Sequence, residues 1–247
     1  MLYVALTFWL LVVILAASGV HRLLSGIVRP KVLNTILLPG TLVAQIGHVL
    51  GLLVTGATVN QTTLYDESGA PETTPNPKSR IPIIGPIVIG LLPMLSCATA
   101  IFFVARYLGA SVIGGMRVDS VGPSLPTTVP GLWQMLRDQI TLVESWVSAI
   151  AASDPTDWRT WLFLYLLTCL TIRLAPFPGC LRGALGAILV LGIATAAATS
   201  LLDVADPRVR SGWAILSLCV ASVLLLLLAT LLTRGGVALA RLLSGRE

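Results

Sequence analysis

The sequence has little charge for its length. Only 11% of its 247 residues are charged and 55% are hydrophobic, whereas an average soluble domain has about 25% charged residues. This composition excludes an ordinary water-soluble protein. Acids are scarcer than bases, with 11 Asp and Glu against 16 Lys and Arg. The cations lie at the ends of apolar stretches and form no single stripe, so they indicate membrane topology and not a nucleic-acid partner.

Cysteine and histidine are rare as well, with four and two residues. The cysteines lie within or beside apolar stretches, where a free cysteine behaves as a small hydrophobic residue. They form no CxxC pair, so the sequence supports neither a disulfide framework nor a zinc knuckle. They are Cys97, Cys169, Cys180 and Cys219.

Long uncharged stretches dominate the chain, at residues 1–21, 32–65, 81–105, 160–172, 183–202 and 211–233. A helix needs about 20 apolar residues to cross the bilayer core, and all but the fourth stretch are that long. We therefore predict an all-α, polytopic transmembrane bundle of about six spans, forming one integral membrane domain over residues 1–247. The first stretch follows no basic residue and exceeds the apolar core of a signal peptide, so we expect an uncleaved helix.

Six spans would place both termini on the same side of the membrane. The cations then divide nine to seven between the two sides, an excess that favours both termini outside the cytoplasm.

Two polar segments separate the apolar stretches. Residues 60–80 are rich in Thr, Pro and acids and predict an exposed loop, and residues 107–157 form a connector. Within the connector, residues 131–152 place apolar side chains opposite charged ones, which predicts an amphipathic helix lying along the membrane interface or on the protein itself. The segment Asp154-Pro155-Thr156-Asp157 is expected to end that helix and to cap the next.

Polar side chains at membrane depth are costly, so function is sought there first. Gln45 and His48 lie three residues apart, on one face of a helix that we expect to follow a bend at Pro39-Gly40. Arg173 interrupts the fourth apolar stretch. Two interpretations of Arg173 are open: its guanidinium snorkels to the interface, or it pairs with carbonyls or an acid inside the bundle.

Residues 37–48 read LLPGTLVAQIGH, and TGA follows at 55–57. These residues resemble the first catalytic helix of membrane-embedded zinc metallopeptidases of the site-2-protease type, in which a Pro-Gly turn precedes HExxH. Residues 175–184, APFPGCLRGA, are similar to the later segment of bacterial members, in which APSxxD supplies the remaining zinc ligand. The resemblance implies the peptidase fold in a multi-pass protein of a bacterial cell membrane.

The departures from HExxH concern its chemistry. Residues 44–48 read AQIGH, so Ala44 replaces the first histidine and Gln45 replaces the general base, while His48 remains. Alanine has no ligand atom, and an amide takes up no proton near neutral pH. Cys180 stands at the carboxylate position of the later motif. Because a catalytic zinc typically has three protein ligands, the resemblance implies vestigial positions, with no catalytic residue, no metal and no other cofactor.

The same residues have a simpler interpretation as helix-packing residues. Gly47 and Gly51 form one stripe of small residues, and Gly179 and Gly183 form another, and such stripes let helix backbones approach closely in lipid. His48 is then a buried imidazole that bonds to a neighbouring helix. Cys180 is then a small packing residue.

Our leading hypothesis is a catalytically silent, metallopeptidase-like membrane protein that acts as a scaffold or subunit of a membrane assembly. Its partners would be the lipid bilayer and another membrane protein. One alternative is an active intramembrane zinc protease with substituted ligands, which requires a third ligand and a base near His48. The other is a transporter or channel component, which the broken helices favour and the scarcity of intramembrane acids opposes.

Overall fold

The computed structural model describes residues 2–57, 84–114, 129–174, 186, 188, 190, 193 and 207–243. Every regular element with defined bounds in this part of the chain is an α-helix, which confirms the all-α class. The predicted loop at 60–80 and the candidate residues Gly179, Cys180 and Gly183 lie outside the described residues. The helices are α1 (Leu2–Ser25), α2 (Pro30–Ile36), α3 (Leu38–Thr55), α4 (Ile84–Leu108), α5 (Ala110–Ile113), α6 (Val129–Ala152), α7 (Trp158–Ile172) and α8 (Pro207–Leu243).

Four helices are long and apolar enough to cross a membrane: Phe8–Ser25, Leu38–Thr55, Ile84–Leu108 and Leu216–Leu239. The chain is therefore a membrane protein, as predicted. The expected count of about six spans is not confirmed. Helix α7 has 15 residues and is about 22 Å long, shorter than the bilayer core of about 30 Å. The fifth predicted stretch, 183–202, includes only four described residues.

The predicted break near Pro39-Gly40 is present, two residues before Pro39. Helix α2 ends at Ile36, Leu37 forms the bend, and α3 begins at Leu38. Pro39 then occupies the first turn of α3, where its missing N–H has no partner to lose. At the other end, Gly56 adopts a left-handed conformation with φ 64° and closes α3, and the backbone N–H of Ala57 donates to Leu52 O at 2.9 Å.

Helix α3 packs along α4. The Ser96 hydroxyl of α4 donates to Val43 O, early in α3, at 2.9 Å. Later in α3, Gly51 lies against Ile89, which comes earlier in α4 than Ser96. The two helices are therefore antiparallel.

Helix α7 packs against both α3 and α4. The Cys97 thiol of α4 lies 3.9 Å from the carbonyl oxygen of Arg173, at the end of α7. Gly109, just after α4, lies against Phe163, nearer the start of α7. Helix α7 therefore runs antiparallel to α4 and parallel to α3.

Helices α1 and α8 are neighbours and run in the same direction. A Cβ placed on Gly19 would lie 3.8 Å from Leu227 Cδ1, and one on Gly26, seven residues later, would lie 3.9 Å from Arg234 Nη1. Two parallel spans start on the same side of the membrane, whereas the first and the last of six alternating spans run in opposite directions. The expectation that six spans place both termini on one side does not agree with this packing.

Helix α6 covers the residues predicted to form the amphipathic helix. It packs against α5 and α8, and one stripe of α6, formed by Leu142, Trp146 and Ala149, is buried in the main core. Trp146 packs edge-on against Phe163 of α7, with ring centroids 6.1 Å apart. Of the two surfaces that the sequence offered for this helix, the structure therefore uses the protein.

Two aspartates accept hydrogen bonds within the connection between α6 and α7, the segment predicted to end one helix and cap the next. The Asp157 carboxylate accepts a hydrogen bond from the backbone N–H of Arg159 at 3.0 Å and so caps α7. The Asp154 carboxylate accepts from the backbone N–H and the hydroxyl of Thr156, at 2.9 and 2.7 Å. These bonds to its charged form lower the pKa of the Asp154 carboxyl.

Candidate functional site

The residues at the HExxH positions lie on the buried side of α3. Ala44 has no exposed surface and belongs to the main apolar core, together with Cys97 and Ile101 of α4. Gln45 and His48 are also buried. Helix α3 therefore places all three inside the bundle.

We tested whether these positions fit a zinc ion. Ala44 offers no ligand atom, and it is fully buried in the main apolar core. No three His, Cys, Asp or Glu side chains converge on one point within the described part of the chain. Cys180, the other vestigial position, lies outside that part. The residues of α3 thus do not fit a zinc site of the HExxH type.

The small residues of α3 lie where neighbouring backbones come closest. A Cβ on Gly47 would lie 2.7 Å from both Leu92 O and Pro93 Cα, and one on Gly51 would lie 3.0 Å from Ile89 Cα. Real Cβ atoms essentially never approach another heavy atom closer than 3.0 Å. These two glycines therefore let α3 and α4 pack with their backbones in direct contact.

Gly40 has the same role toward α7. A Cβ there would collide with the backbone carbonyl of Cys169 and would lie 3.1 Å from Arg173 Cγ. The glycine-bearing side of α3 thus contacts α4 at Gly47 and Gly51, and it contacts α7 at Gly40, in the first turn of α3.

A side-chain hydrogen bond joins α3 to α4 beside this contact. The Ser96 hydroxyl lies 2.9 Å from Val43 O and 2.8 Å from Pro93 O. Pro93 lies within α4 and has no N–H for the helix ladder. The bond to Val43 O therefore links the two helix backbones three residues after this gap in the ladder.

Arg173 lies inside the bundle and not at the interface. It follows the last residue of α7, its side chain is 8% exposed, and Nη2 donates to Asn34 Oδ1 of α2 at 2.7 Å. Asn34 is buried too. Of the two interpretations that the sequence left open, the structure has the guanidinium bonded within the protein, with the Asn34 amide as one partner. Arg173 also lies close enough to His21 of α1 to interact with it electrostatically.

Two more bonds hold α2 to α7. The Tyr165 hydroxyl donates to Ile36 O at 2.7 Å, and the Cys169 thiol lies 3.5 Å from the same oxygen. Ile36 is the last residue of α2, so its carbonyl has no partner within the helix. Helix α7 supplies the missing donors. We call Asn34, Ile36, Tyr165, Cys169 and Arg173 the α2–α7 junction.

Sequence reasoning found one member of this junction, Arg173, and missed Asn34 and Tyr165. A signal for Asn34 was present, because it is a polar side chain in the uncharged stretch 32–65, as Gln45 and His48 are. No sequence signal paired it with a residue in the second half of the chain.

No protein-family model, curated protein or solved structure matches this chain. The resemblance to site-2-type metallopeptidases therefore stays a prediction, based on the residues quoted for it.

Proposed function

We propose that this chain is a catalytically silent, metallopeptidase-like protein of a bacterial cell membrane, where it serves as a scaffold or subunit of a membrane assembly. The observation that supports the silent site is the environment of Ala44, a residue without ligand atoms that is packed into the apolar core. Gln45 beside it cannot act as a base near neutral pH. A hydrolase of the HExxH type needs both functions at these positions.

The scaffold role follows from how α3 is used. In a metallopeptidase this helix presents ligands to a metal, whereas here its glycines are in close contact with two neighbouring helices. A helix in backbone contact with α4 and α7 positions them rigidly. The protein would then act through the outward faces of the bundle, which carry exposed apolar side chains such as Ile46, Leu53 and Val54.

Metal content tests the silent site. We expect the protein, purified in mild detergent without chelator, to contain no stoichiometric zinc by elemental mass spectrometry. His48→Ala is the informative variant. His21→Ala is its matched control, because the sequence has only these two histidines. One zinc per chain that is lost in His48→Ala and kept in His21→Ala would refute the silent site.

A separate experiment tests the assembly. Solubilised in mild detergent from its own membrane, the protein is expected to co-elute with a companion at a fixed molar ratio through two successive separations. A lone chain of its own mass would refute the scaffold or subunit role. It would leave the metal result unaffected.

A further inference from the structure

Four cationic residues lie on or beside one turn of the chain. Arg22 lies in the last turn of α1, Arg29 precedes α2, and Lys31 is the second residue of α2, and all three are exposed. The parallel packing of α1 and α8 adds a fourth cation, because Arg234 Nη1 lies 3.9 Å from the Cβ position of Gly26, within this turn. We call the four cations the cationic turn.

The helices that form the cationic turn carry no acid. The described acids lie in α6 or in the connection that follows it: Asp138, Glu144, Asp154 and Asp157. Like charges held near one another raise the energy of the site unless an anion lies among them. Helices α1, α2 and α8 provide no such anion.

The cationic turn lies where two apolar runs end. The uncharged run of α1 stops just before Arg22, and that of α8, at 211–233, stops just before Arg234. The run in α8 is about 34 Å long, close to the thickness of the bilayer core. Because Arg234 lies beside the α1–α2 turn, both runs end at one depth, which is that of the lipid headgroups. Leu231 and Leu232, just before Arg234, are exposed and apolar, as contact with acyl chains requires.

We propose that the cationic turn binds the phosphate groups of anionic phospholipids, with the acyl chains lying along the exposed leucines of α8. The site combines cations, which favour an anionic headgroup over a zwitterionic one, with an apolar flank that a free phosphate ion would not use. The proposal is independent of the silent site in α3. Each cation of a basic cluster beside a membrane surface contributes a factor of about five to the binding of anionic lipid.

The test is a lipid titration of the full-length protein in phosphatidylcholine nanodiscs. Phosphatidylglycerol replaces phosphatidylcholine in steps, and the thermal unfolding midpoint reports binding. In the triple variant Arg29→Gln, Lys31→Gln, Arg234→Gln, we expect the apparent affinity for phosphatidylglycerol to fall about 100-fold. In phosphatidylcholine alone, its unfolding midpoint should match that of the unaltered protein.

The matched control removes three exposed cations elsewhere, Arg106→Gln, Arg137→Gln and Arg159→Gln. It has the same net charge as the test variant, but its three cations belong to three separate helices, α4, α6 and α7, and not to one turn. We therefore expect its affinity to stay within about fivefold of the unaltered protein. Equal losses in the two triple variants would refute a site at the turn. So would protection by inorganic phosphate as strong as that by phosphatidylglycerol, because the ligand would then be a free anion.

A single substitution keeps the proposal testable if the triple variant does not fold. Arg234→Gln should weaken phosphatidylglycerol binding about fivefold, and Arg234→Lys should retain it, because the phosphate responds chiefly to the charge. Unchanged binding in Arg234→Gln would contradict the role of α8 in the site.

Discussion

Replacing glycine by alanine should have opposite effects at two positions of this protein. At Gly236 of α8, an added Cβ would meet nothing within 4 Å. Alanine is more favourable than glycine within a helix by about 1 kcal/mol, so Gly236→Ala should raise the free energy of unfolding by up to about that amount. Gly47 has the same helical backbone, but a neighbouring helix occupies the space that the methyl group needs.

The size of the effect at Gly47 depends on what the methyl group would meet. It would lie 2.7 Å from Leu92 O and Pro93 Cα, which are backbone atoms that cannot rotate away as a side chain does. Overpacking of this kind costs about 1–3 kcal/mol, and contact with backbone favours the upper end. After subtraction of the gain of about 1 kcal/mol in helix propensity, we expect Gly47→Ala to lower the free energy of unfolding by about 2 kcal/mol.

Reversible unfolding in mixed micelles, followed by far-ultraviolet circular dichroism as dodecyl sulfate is added, measures both variants against the unaltered protein. The two substitutions add the same group to the same kind of backbone, so the difference between them isolates the contact between α3 and α4. If Gly47→Ala is as stable as Gly236→Ala, the two helices are not as close at Pro93 as the structure has them, and the reasoning fails.

Three further predictions concern the α2–α7 junction and the connection before α7. Asn34→Leu removes the amide that accepts a hydrogen bond from Arg173. It should lower the free energy of unfolding in the same micelle assay by about 1.5–3 kcal/mol, the usual contribution of a hydrogen bond to a charged group. A loss below about 0.5 kcal/mol, the scale of surface substitutions, would refute this. Tyr165→Phe removes the donor to Ile36 O and should cost about 0.5–1.5 kcal/mol, with faster amide hydrogen exchange in α2, and unchanged exchange there would contradict the role of this bond. The depressed pKa of Asp154 gives stability that is fully present above its ordinary value of 3.8 and is lost as pH falls through the lower folded-state pKa. In a pH series of unfolding midpoints, Asp154→Asn should therefore reduce the fall of the midpoint at acid pH. An unchanged fall would rule out this carboxyl as its source.

Local features of this fold were predictable because local rules determine them. Residues 131–152 were predicted as an amphipathic helix from their periodicity, and α6 occupies Val129–Ala152. The cap at Asp157 was visible for a similar reason, since an acid next to the first turn accepts from that turn's own backbone. The end of α8 was not predictable from hydropathy. The apolar run stops before Arg234 while the helix continues to Leu243, because a helix satisfies its own backbone on either side of the membrane boundary.

The features that the sequence did not predict join residues that are far apart in the chain. Nothing in residues 32–36 indicates that Asn34 accepts from Arg173, because the pairing depends on how α3 and α4 bring α7 back to α2. The direction of α8 relative to α1 likewise depends on how the intervening helices pack, and not on the residues of α1 or α8 alone. A count of apolar stretches assigns directions by alternation, so one stretch that forms a shorter helix, such as α7, changes every direction after it.

The pairing of α1 with α8 also bears on how the protein is made. Helix α1 leaves the ribosome before α8, and its buried side chains Trp9, Val13 and Ala17 belong to the main core, to which α8 contributes from Leu218 to Val223. Helices α2 to α7 must be synthesised before α8 can cover them. Until then, this face of α1 is exposed in the membrane to lipid or to other nascent helices, as hydrophobic surface is in folding intermediates. A chain truncated before α8 would keep that face exposed permanently, which makes it a natural target for membrane quality control.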